Sequence, residues 1–184
     1  MNKTEDRIPL AATGGYGAAA RRFVVILALG FWLGGFTFYS GVVIHTGHRV
    51  FGSARETGFL TRQVTGWLNW IGVVALVVLF WNALASRRSP GRRERIALWT
   101  TWGFMAAVQV ALFILHPVLD RMLVVETHHI LDRARFYGVH RHYMNLSTAQ
   151  WAAGLLHLWL VLWVWRAEDR SVAVPPPQRS AEAL

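Results

Sequence analysis

The sequence predicts an all-α membrane protein, a bundle of four transmembrane helices with an outward-facing helical connection between helices 3 and 4. Two observations favour this fold class. The 184-residue chain is 54% hydrophobic and only 16% charged, which is unusually apolar for a soluble domain. Its formal net charge of +9 comes mainly from arginines that flank apolar stretches, whereas a nucleic-acid-binding protein gathers them on a solvated face. We therefore expect the lipid bilayer as a partner and no nucleic acid.

The absence of cysteine restricts the chemistry of any site in the chain. Disulfides, thiolate metal sites, iron–sulfur clusters and covalently attached haem are all excluded. A metal ion or haem must be held by histidine, carboxylate, methionine or tyrosine side chains. The sequence also contains no pattern typical of a nucleophile with its base or of a phosphate-binding loop, so we do not expect an enzyme.

The first apolar stretch follows a polar segment that becomes rich in glycine and alanine. Residues 1–20 show no apolar periodicity, which predicts a mobile cytoplasmic tail. Arg21 and Arg22 then precede 23–44, a stretch free of charge. At ~1.5 Å per residue it is long enough to cross ~30 Å of hydrocarbon, and it is our first predicted span.

The second and third spans are separated by an arginine-rich Pro-Gly turn. Ser53 and Glu56 fit a capping box, which predicts a helix that starts near Ala54 and continues into the second span, 64–85. The third span is predicted over 96–116, where the apolar stretch ends at a histidine followed by a proline.

The connection to the fourth span mixes apolar and charged residues. Over 118–145 the apolar residues recur at near-helical spacing, which predicts a helical extension and a short interfacial helix broken near Gly138. The fourth span is predicted over 146–165, so the transmembrane domain occupies 21–166. The remaining 167–184 contain three consecutive prolines and are predicted to be a disordered cytoplasmic tail.

The orientation of the bundle follows from its basic residues, because cytoplasmic segments carry the excess of lysine and arginine. Twelve lie in the two tails and the second connection, and seven lie in the first and third connections. The sequence thus predicts a multi-pass protein of a bacterial-type inner membrane with both termini cytoplasmic. The twelve are Lys3, Arg7, Arg21, Arg22, Arg87, Arg88, Arg92, Arg93, Arg95, Arg166, Arg170 and Arg179, and the seven are Arg49, Arg55, Arg62, Arg121, Arg133, Arg135 and Arg141.

With this topology, seven of the eight histidines lie at or beyond the outer membrane boundary. Neutral imidazole is a good ligand for copper, zinc and nickel, and such a cluster fits a transition-metal site. An alternative is that these histidines form hydrogen bonds with lipid headgroups, backbone carbonyls and one another. The candidate metal ligands are His45, His48, His116, His140 and His142.

His157 is the one histidine predicted to lie inside the membrane. A charged group there is costly, so we expect a neutral ring that is hydrogen-bonded within the bundle. Gln109 on the third span lies at a similar predicted depth and is the expected partner. Two alternatives stay open: a proton or ion path through Asn69, Gln109 and His157, and a haem b whose axial ligands are His157 and a histidine of the outer end.

Four segments carry a resemblance to a known family: FWLGGFTFYSGVV, GFLTRQVTGWLNWIG, LHPVLDRM and FYGVHRHYMNLSTAQW. Their order resembles a family of four-span membrane proteins that includes the eukaryotic transmembrane protein linked to platinum-drug resistance. The resemblance implies a fold and a membrane location but no reaction. The family's recurring phenylalanine and histidine before the last span map onto Phe136 and His140. Additional histidines depart from the family pattern and suggest a subgroup with an added role: His45, His48, His128, His129 and His142.

Three functions fit these observations. The first is a non-enzymatic membrane protein whose outward-facing histidines bind copper, zinc or nickel or help to move one of them. Because four short helices leave little room for a path, transport would require a homo-oligomer or a larger membrane complex. The second is an accessory subunit of such a complex, and the third is a haem b-binding electron carrier.

Overall fold

The computed structural model describes residues 13–86, 91–124, 129–130 and 132–173. The described chain is almost entirely helical, and its long helices pack as a bundle. In chain order the elements are α1 (Thr13–Phe38), a π-helical turn (Tyr39–Val43), α2 (Ile44–Phe51), α3 (Ala54–Ala85), α4 (Arg92–Arg121), β1 (Leu123–Val124), β2 (His129–Ile130) and α5 (Arg133–Ala173). The two short strands pair antiparallel, with Leu123 opposite Ile130.

The first three helical elements form one continuous rod, because the residues on both sides of the π turn keep right-handed helical dihedral angles. The rod ends at Gly52, whose φ of 66° places it in the left-handed region that glycine adopts without steric cost. Its N–H donates to the carbonyl of His48 at 3.1 Å. The side chain of Ser53 then accepts a hydrogen bond from the N–H of Glu56 at 3.1 Å, and α3 begins at Ala54 as predicted.

Three helical segments of the described chain are long and apolar enough to cross a membrane. Each contains one of the first three predicted spans. Helix α5 is not among them, because Gln150, His157 and several tryptophans interrupt its apolar residues. A fourth span over 146–165 therefore stays a prediction. The three segments are Tyr16–Phe51, Glu56–Ala85 and Arg92–Arg121.

The larger hydrophobic core lies where α1, α3, α4 and α5 meet. Leu29, Leu79 and Met105 are fully excluded from solvent there. Helix α5 packs most extensively against α4, and α1 packs against α3. A second, smaller core cluster lies toward the C-terminal end of α4 and consists of Val108, Leu112, Leu119 and Tyr143.

The connection between α4 and α5 differs from the prediction in two respects, and the first is the pair of short strands β1 and β2, which was not predicted. The helical extension is present, since α4 continues through Pro117 to Arg121. The predicted break near Gly138 is wrong, because α5 is continuous from Arg133 to Ala173. Phe136 and Val139 on either side of that glycine pack against the second core cluster. This packing offsets the modest cost of a glycine inside a helix.

Helices α1 and α5 both extend into the segments predicted as tails, and ion pairs join α1, just after its predicted tail, to the extension of α5. Arg21 Nη2 lies 2.9 Å from a carboxylate oxygen of Glu168, and Arg22 Nη2 lies 2.7 Å from one of Asp169. We call this region the Arg21 end. The predicted tail residues 1–12 and 174–184 lie outside the described part of the chain.

Asparagine and serine side chains complete the Arg21 end. Arg21 donates hydrogen bonds to Asn82 at 3.2 Å and to the hydroxyl of Ser86, so α3 joins α1 and α5 there. The Arg22 guanidinium also lies 5.5 Å from the ring centroid of Trp165. The same guanidinium holds the pKa of the Asp169 carboxyl below its usual range. Charged side chains thus stabilise the helix ends where the sequence alone predicted unstructured tails.

Candidate functional site

A cavity of about 280 Å³ lies at the opposite end of the bundle from Arg21. Side chains from the π turn, α2, α3, α4, β1 and α5 line it. We call it the His116 cavity. Its polar lining includes Tyr39, His48, Arg62, His116, Asp120, His140 and Tyr143, and its apolar lining includes Ile44, Leu119, Leu123, Phe136 and Met144.

Local sequence features bring these elements together. A Cβ atom on Gly47 would lie 2.8 Å from Cγ2 of Thr57, so only glycine permits α2 to approach α3 this closely. The continuation of α4 past Pro117 carries Asp120 to the cavity. The early start of α5 at Arg133 places the first turns of that helix beside α2 and α4.

An ion pair occupies one wall of the cavity. Arg62 Nε lies 2.6 Å from Oδ1 of Asp120, and the other carboxylate oxygen lies 3.3 Å from Nδ1 of His116. His116 Nε2 lies 3.3 Å from the backbone carbonyl of Arg62. Both ring nitrogens therefore face hydrogen-bond acceptors, and the carboxylate is already matched by a guanidinium.

The other two histidines of the cavity, His48 and His140, have fewer hydrogen-bond acceptors near their ring nitrogens than His116 has. His48 Nδ1 lies 2.8 Å from the carbonyl of Ile44, which can only accept, so Nδ1 carries a proton, and in the neutral tautomer Nε2 is an acceptor. The ring of His140 stacks on Phe136 with a centroid distance of 5.7 Å and an interplanar angle of 8°. Partial desolvation lowers the pKa of His140, although one side of the residue stays exposed, and this direction favours the neutral ring.

A buried polar network lies beneath the cavity. The side-chain amide of Asn69 donates to the hydroxyl of Tyr143 at 3.1 Å. The amide of Gln109 donates to the backbone carbonyl of Asn69 at 3.2 Å, and that of Gln150 donates to Oε1 of Gln109 at 2.9 Å. A void of about 20 Å³ adjoins this network and shares Tyr39 and Tyr143 with the lining of the His116 cavity. Tyr143 thus belongs both to the lining of the cavity and to the polar network.

The chain matches no protein-family model, no curated protein and no solved structure. The resemblance to the four-span family therefore stays a prediction, but the structure adds one observation about it. The four segments that carry the resemblance all contribute to the His116 cavity. They supply Tyr39 from the first segment, Arg62 from the second, His116 and Asp120 from the third, and Phe136 and His140 from the fourth.

The predicted hydrogen bond between Gln109 and His157 is wrong. His157 Nδ1 lies 2.7 Å from the hydroxyl of Thr101, whereas Gln109 lies level with Gln150. Because Gln150 and His157 are seven residues apart on α5, their depths differ by about 10 Å. The prediction judged depth from the ends of the apolar stretches, but the antiparallel packing of α4 and α5 determines which residues face each other.

The same depth difference bears on the ion path and on haem. Asn69 and Gln109 lie in one network, but His157 bonds to Thr101 and is not part of it. His157 is 1% exposed and does not line the His116 cavity. A haem held by His157 and a histidine of the outer end therefore gains no support from these positions.

The five candidate metal ligands do not converge. His48, His116 and His140 line the cavity, whereas His45 and His142 are exposed and lie outside its lining. On a helix, residues two positions apart point roughly 200° away from each other, so His142 faces away from His140. Across the described ranges, no group of three or more histidine or acidic side chains is arranged to hold a metal ion. His128 and the side chain of His129 lie outside what the structure describes.

Several residues of the site were not predicted from the sequence. In the sequence Tyr39 and Tyr143 resemble ordinary aromatic residues of membrane helices, yet both are buried at the base of the cavity. Arg62 contributed only to the prediction of topology. The sequence did indicate a buried polar contact at Gln150, because an amide inside a predicted span must find a hydrogen-bond partner within the bundle.

Proposed function

We propose that this chain is a four-span protein of a bacterial-type inner membrane, with cytoplasmic termini and an outward-facing His116 cavity that binds a small ligand. Three apolar helices and the distribution of arginines support the membrane location and the orientation. Helix α5 supplies the fourth crossing, because it packs antiparallel along α4 over most of that helix's length.

The observation that carries the binding proposal is the composition of the cavity. It is lined by side chains from the three apolar helical segments and from α5, and it combines apolar walls with a few oriented polar groups. Cavities of this kind between the helices of a bundle are typical ligand sites. Structural packing alone does not require Arg62, Asp120 and the three histidines around one void of about 280 Å³.

The composition of the cavity also changes the expectation about the ligand. A transition metal favours several converging imidazoles or an available carboxylate. Here Asp120 is matched by Arg62, and His116 faces acceptors with both of its ring nitrogens. We therefore propose an organic ligand and treat copper, zinc or nickel as outcomes to be tested. The role of an accessory subunit in a larger complex stays a prediction.

Because the chain has no cysteine, single-cysteine variants give a clean test of ligand occupancy. Ile44→Cys places a thiol in the cavity lining, and His45→Cys places one on the neighbouring exposed surface. We expect a small maleimide to label the Ile44→Cys variant slowly in native membranes and faster after detergent extraction has removed the ligand. The labelling rate of the His45→Cys variant serves as the control and should change little. Equal rates for Ile44→Cys before and after extraction would refute occupancy.

Topology reporters test the number of spans and the orientation. A reporter fused after Arg93 is expected in the cytoplasm, and an external reporter there would overturn the orientation. Reporters at the N-terminus and after Ala173 are expected on the same side of the membrane. If they lie on opposite sides, α5 does not cross and the four-span proposal fails.

A further inference from the structure

We propose that the ligand of the His116 cavity is a neutral, planar aromatic molecule carrying ring carbonyl or hydroxyl groups, a compound of the quinone class. This inference rests on the proposed function and specifies the chemistry of its ligand. Four properties of the cavity support it: the charge, the free hydrogen-bonding groups, the aromatic walls and the size.

The charge of the lining excludes a strongly ionic ligand. Among the described residues that line the cavity, histidines aside, Arg62 and Asp120 carry the charges, and their contact of 2.6 Å balances them. An anion or a cation that entered this partly buried space would lose hydration without an available counter-charge. A neutral molecule avoids this cost.

The free hydrogen-bonding groups suit a molecule with oxygen atoms on a ring. In its neutral tautomer His48 presents Nε2 as an acceptor, because its Nδ1 donates to the carbonyl of Ile44. Within the described chain, the ring nitrogens of His140 have no hydrogen-bond partner, and its neutral ring offers one donor and one acceptor. A ring carbonyl can accept from His140, and a ring hydroxyl can donate to His48. Reduced and oxidised forms of a quinone would therefore both find partners.

The aromatic walls favour a flat ligand over a flexible one. Phe136 and His140 stack nearly parallel, and the ring of Tyr137 meets that of Phe136 edge-on at 5.7 Å. Tyr39 and Tyr143 close the base of the cavity and are 6% and 5% exposed. Rings packed in offset or edge-on geometry against such walls gain attraction beyond their buried area.

The size and the location of the cavity limit the ligand further. Its volume of about 280 Å³ is near the lower end of the range for ligand sites, so it accommodates a small ring system but no large substituent. Exposed His48 and His140 mark the mouth of the cavity. The proposed topology places this mouth at the outer membrane boundary, where a lipid-soluble ring compound accumulates and from which an apolar tail can extend into the bilayer.

The test uses the full-length protein in lipid nanodiscs and isothermal titration calorimetry, with titrations of empty nanodiscs subtracted. Menadione is the probe, 1-naphthoate supplies a fused aromatic ring with a negative charge, 1-decanol supplies a neutral hydroxyl without a ring, and zinc chloride tests the metal. We expect saturable binding of menadione, with dissociation constants at least tenfold higher for naphthoate and decanol. Naphthoate or decanol that binds as tightly as menadione would overturn the inference, and so would saturable zinc binding without menadione binding.

Matched variants locate the binding. His140→Leu and Phe136→Leu should raise the dissociation constant for menadione by about tenfold, since each removes part of the stacked pair and the first also removes a hydrogen bond. His142→Leu changes an exposed histidine of the same helix that lies outside the cavity and should leave binding unchanged. Thermal unfolding of each variant checks that it is folded. Equal losses in His140→Leu and His142→Leu would contradict the assignment.

The outcomes also separate this inference from the proposed function. If menadione does not bind but the thiol of the Ile44→Cys variant still becomes more reactive after extraction, the cavity is a ligand site and the quinone class is wrong. If no probe binds and the reactivity of that thiol does not change, both proposals fail.

Discussion

Removing the carboxylate of Asp120 should change which ligands the His116 cavity accepts. Asp120→Asn keeps the shape of the side chain but leaves the Arg62 guanidinium without its counter-charge. The cavity then changes from a neutral lining to a positively charged one. We expect the variant to bind an anionic aromatic ligand, 1-naphthoate, more tightly than the parent protein does, with little change in its affinity for neutral menadione.

The size of the effect follows from the exposure of the pair. Two unit charges ~4 Å apart interact by about 4 kcal/mol at an effective dielectric constant of ~20. The side chains of Arg62 and Asp120 are 32% and 25% exposed, so solvent screens part of this attraction. We therefore expect the binding free energy of 1-naphthoate to become more favourable by about 1.4 kcal/mol in the variant, which corresponds to a tenfold lower dissociation constant.

Calorimetry in nanodiscs measures both ligands against the parent protein and against Asp169→Asn, a matched change at the Arg21 end. That control removes a carboxylate from a different arginine pair and should not alter the affinity for either ligand. An unchanged affinity of Asp120→Asn for naphthoate would refute the reasoning that the ion pair neutralises the cavity. A similar gain in Asp169→Asn would show that the total charge of the protein, and not the cavity, controls binding.

Three further predictions concern stability. Tyr143→Phe removes the partner of the buried Asn69 amide and should lower the free energy of unfolding by about 1 kcal/mol, or the thermal midpoint by about 2–4 °C. The control variant Tyr137→Phe changes an exposed tyrosine and should lower the midpoint little. Gly72→Ala places a Cβ atom 2.6 Å from Oε1 of Gln109 and should lower the free energy of unfolding by about 1–3 kcal/mol. The control variant Gly103→Ala places its Cβ where no atom lies within 4 Å and should be tolerated. The lowered pKa of Asp169 means that its ion pair stabilises the fold above the unfolded pKa of about 3.9 and is lost as the pH falls through the folded value. Between pH 7 and about 3, the thermal midpoint should therefore fall less in Asp169→Asn than in the parent protein. An equal fall in both proteins would contradict this role of Asp169. For Tyr143→Phe and Gly72→Ala, an unchanged thermal midpoint would contradict the prediction.

Features that depend on neighbours along the chain were predictable. The helix start at Ala54 follows from the Ser53 side chain, whose hydrogen bond is local. The three apolar segments follow from composition and length, since crossing hydrocarbon requires an uninterrupted apolar helix. The continuity of α5 through Gly138 was not predictable, because packing of Phe136 against another helix outweighs the local signal of a glycine.

The sequence by itself determined the helical class, three apolar segments and the end of the bundle at which the histidines collect, because composition and helical periodicity are local properties. Only the tertiary structure decided which histidines line the same cavity. His48 and His140 line one cavity while His45 and His142 point away, and Asp120 is matched by Arg62 from another helix. These outcomes depend on the rotation and register of each helix against its neighbours. Side-chain packing between distant segments sets both quantities, and no single stretch of sequence contains that information.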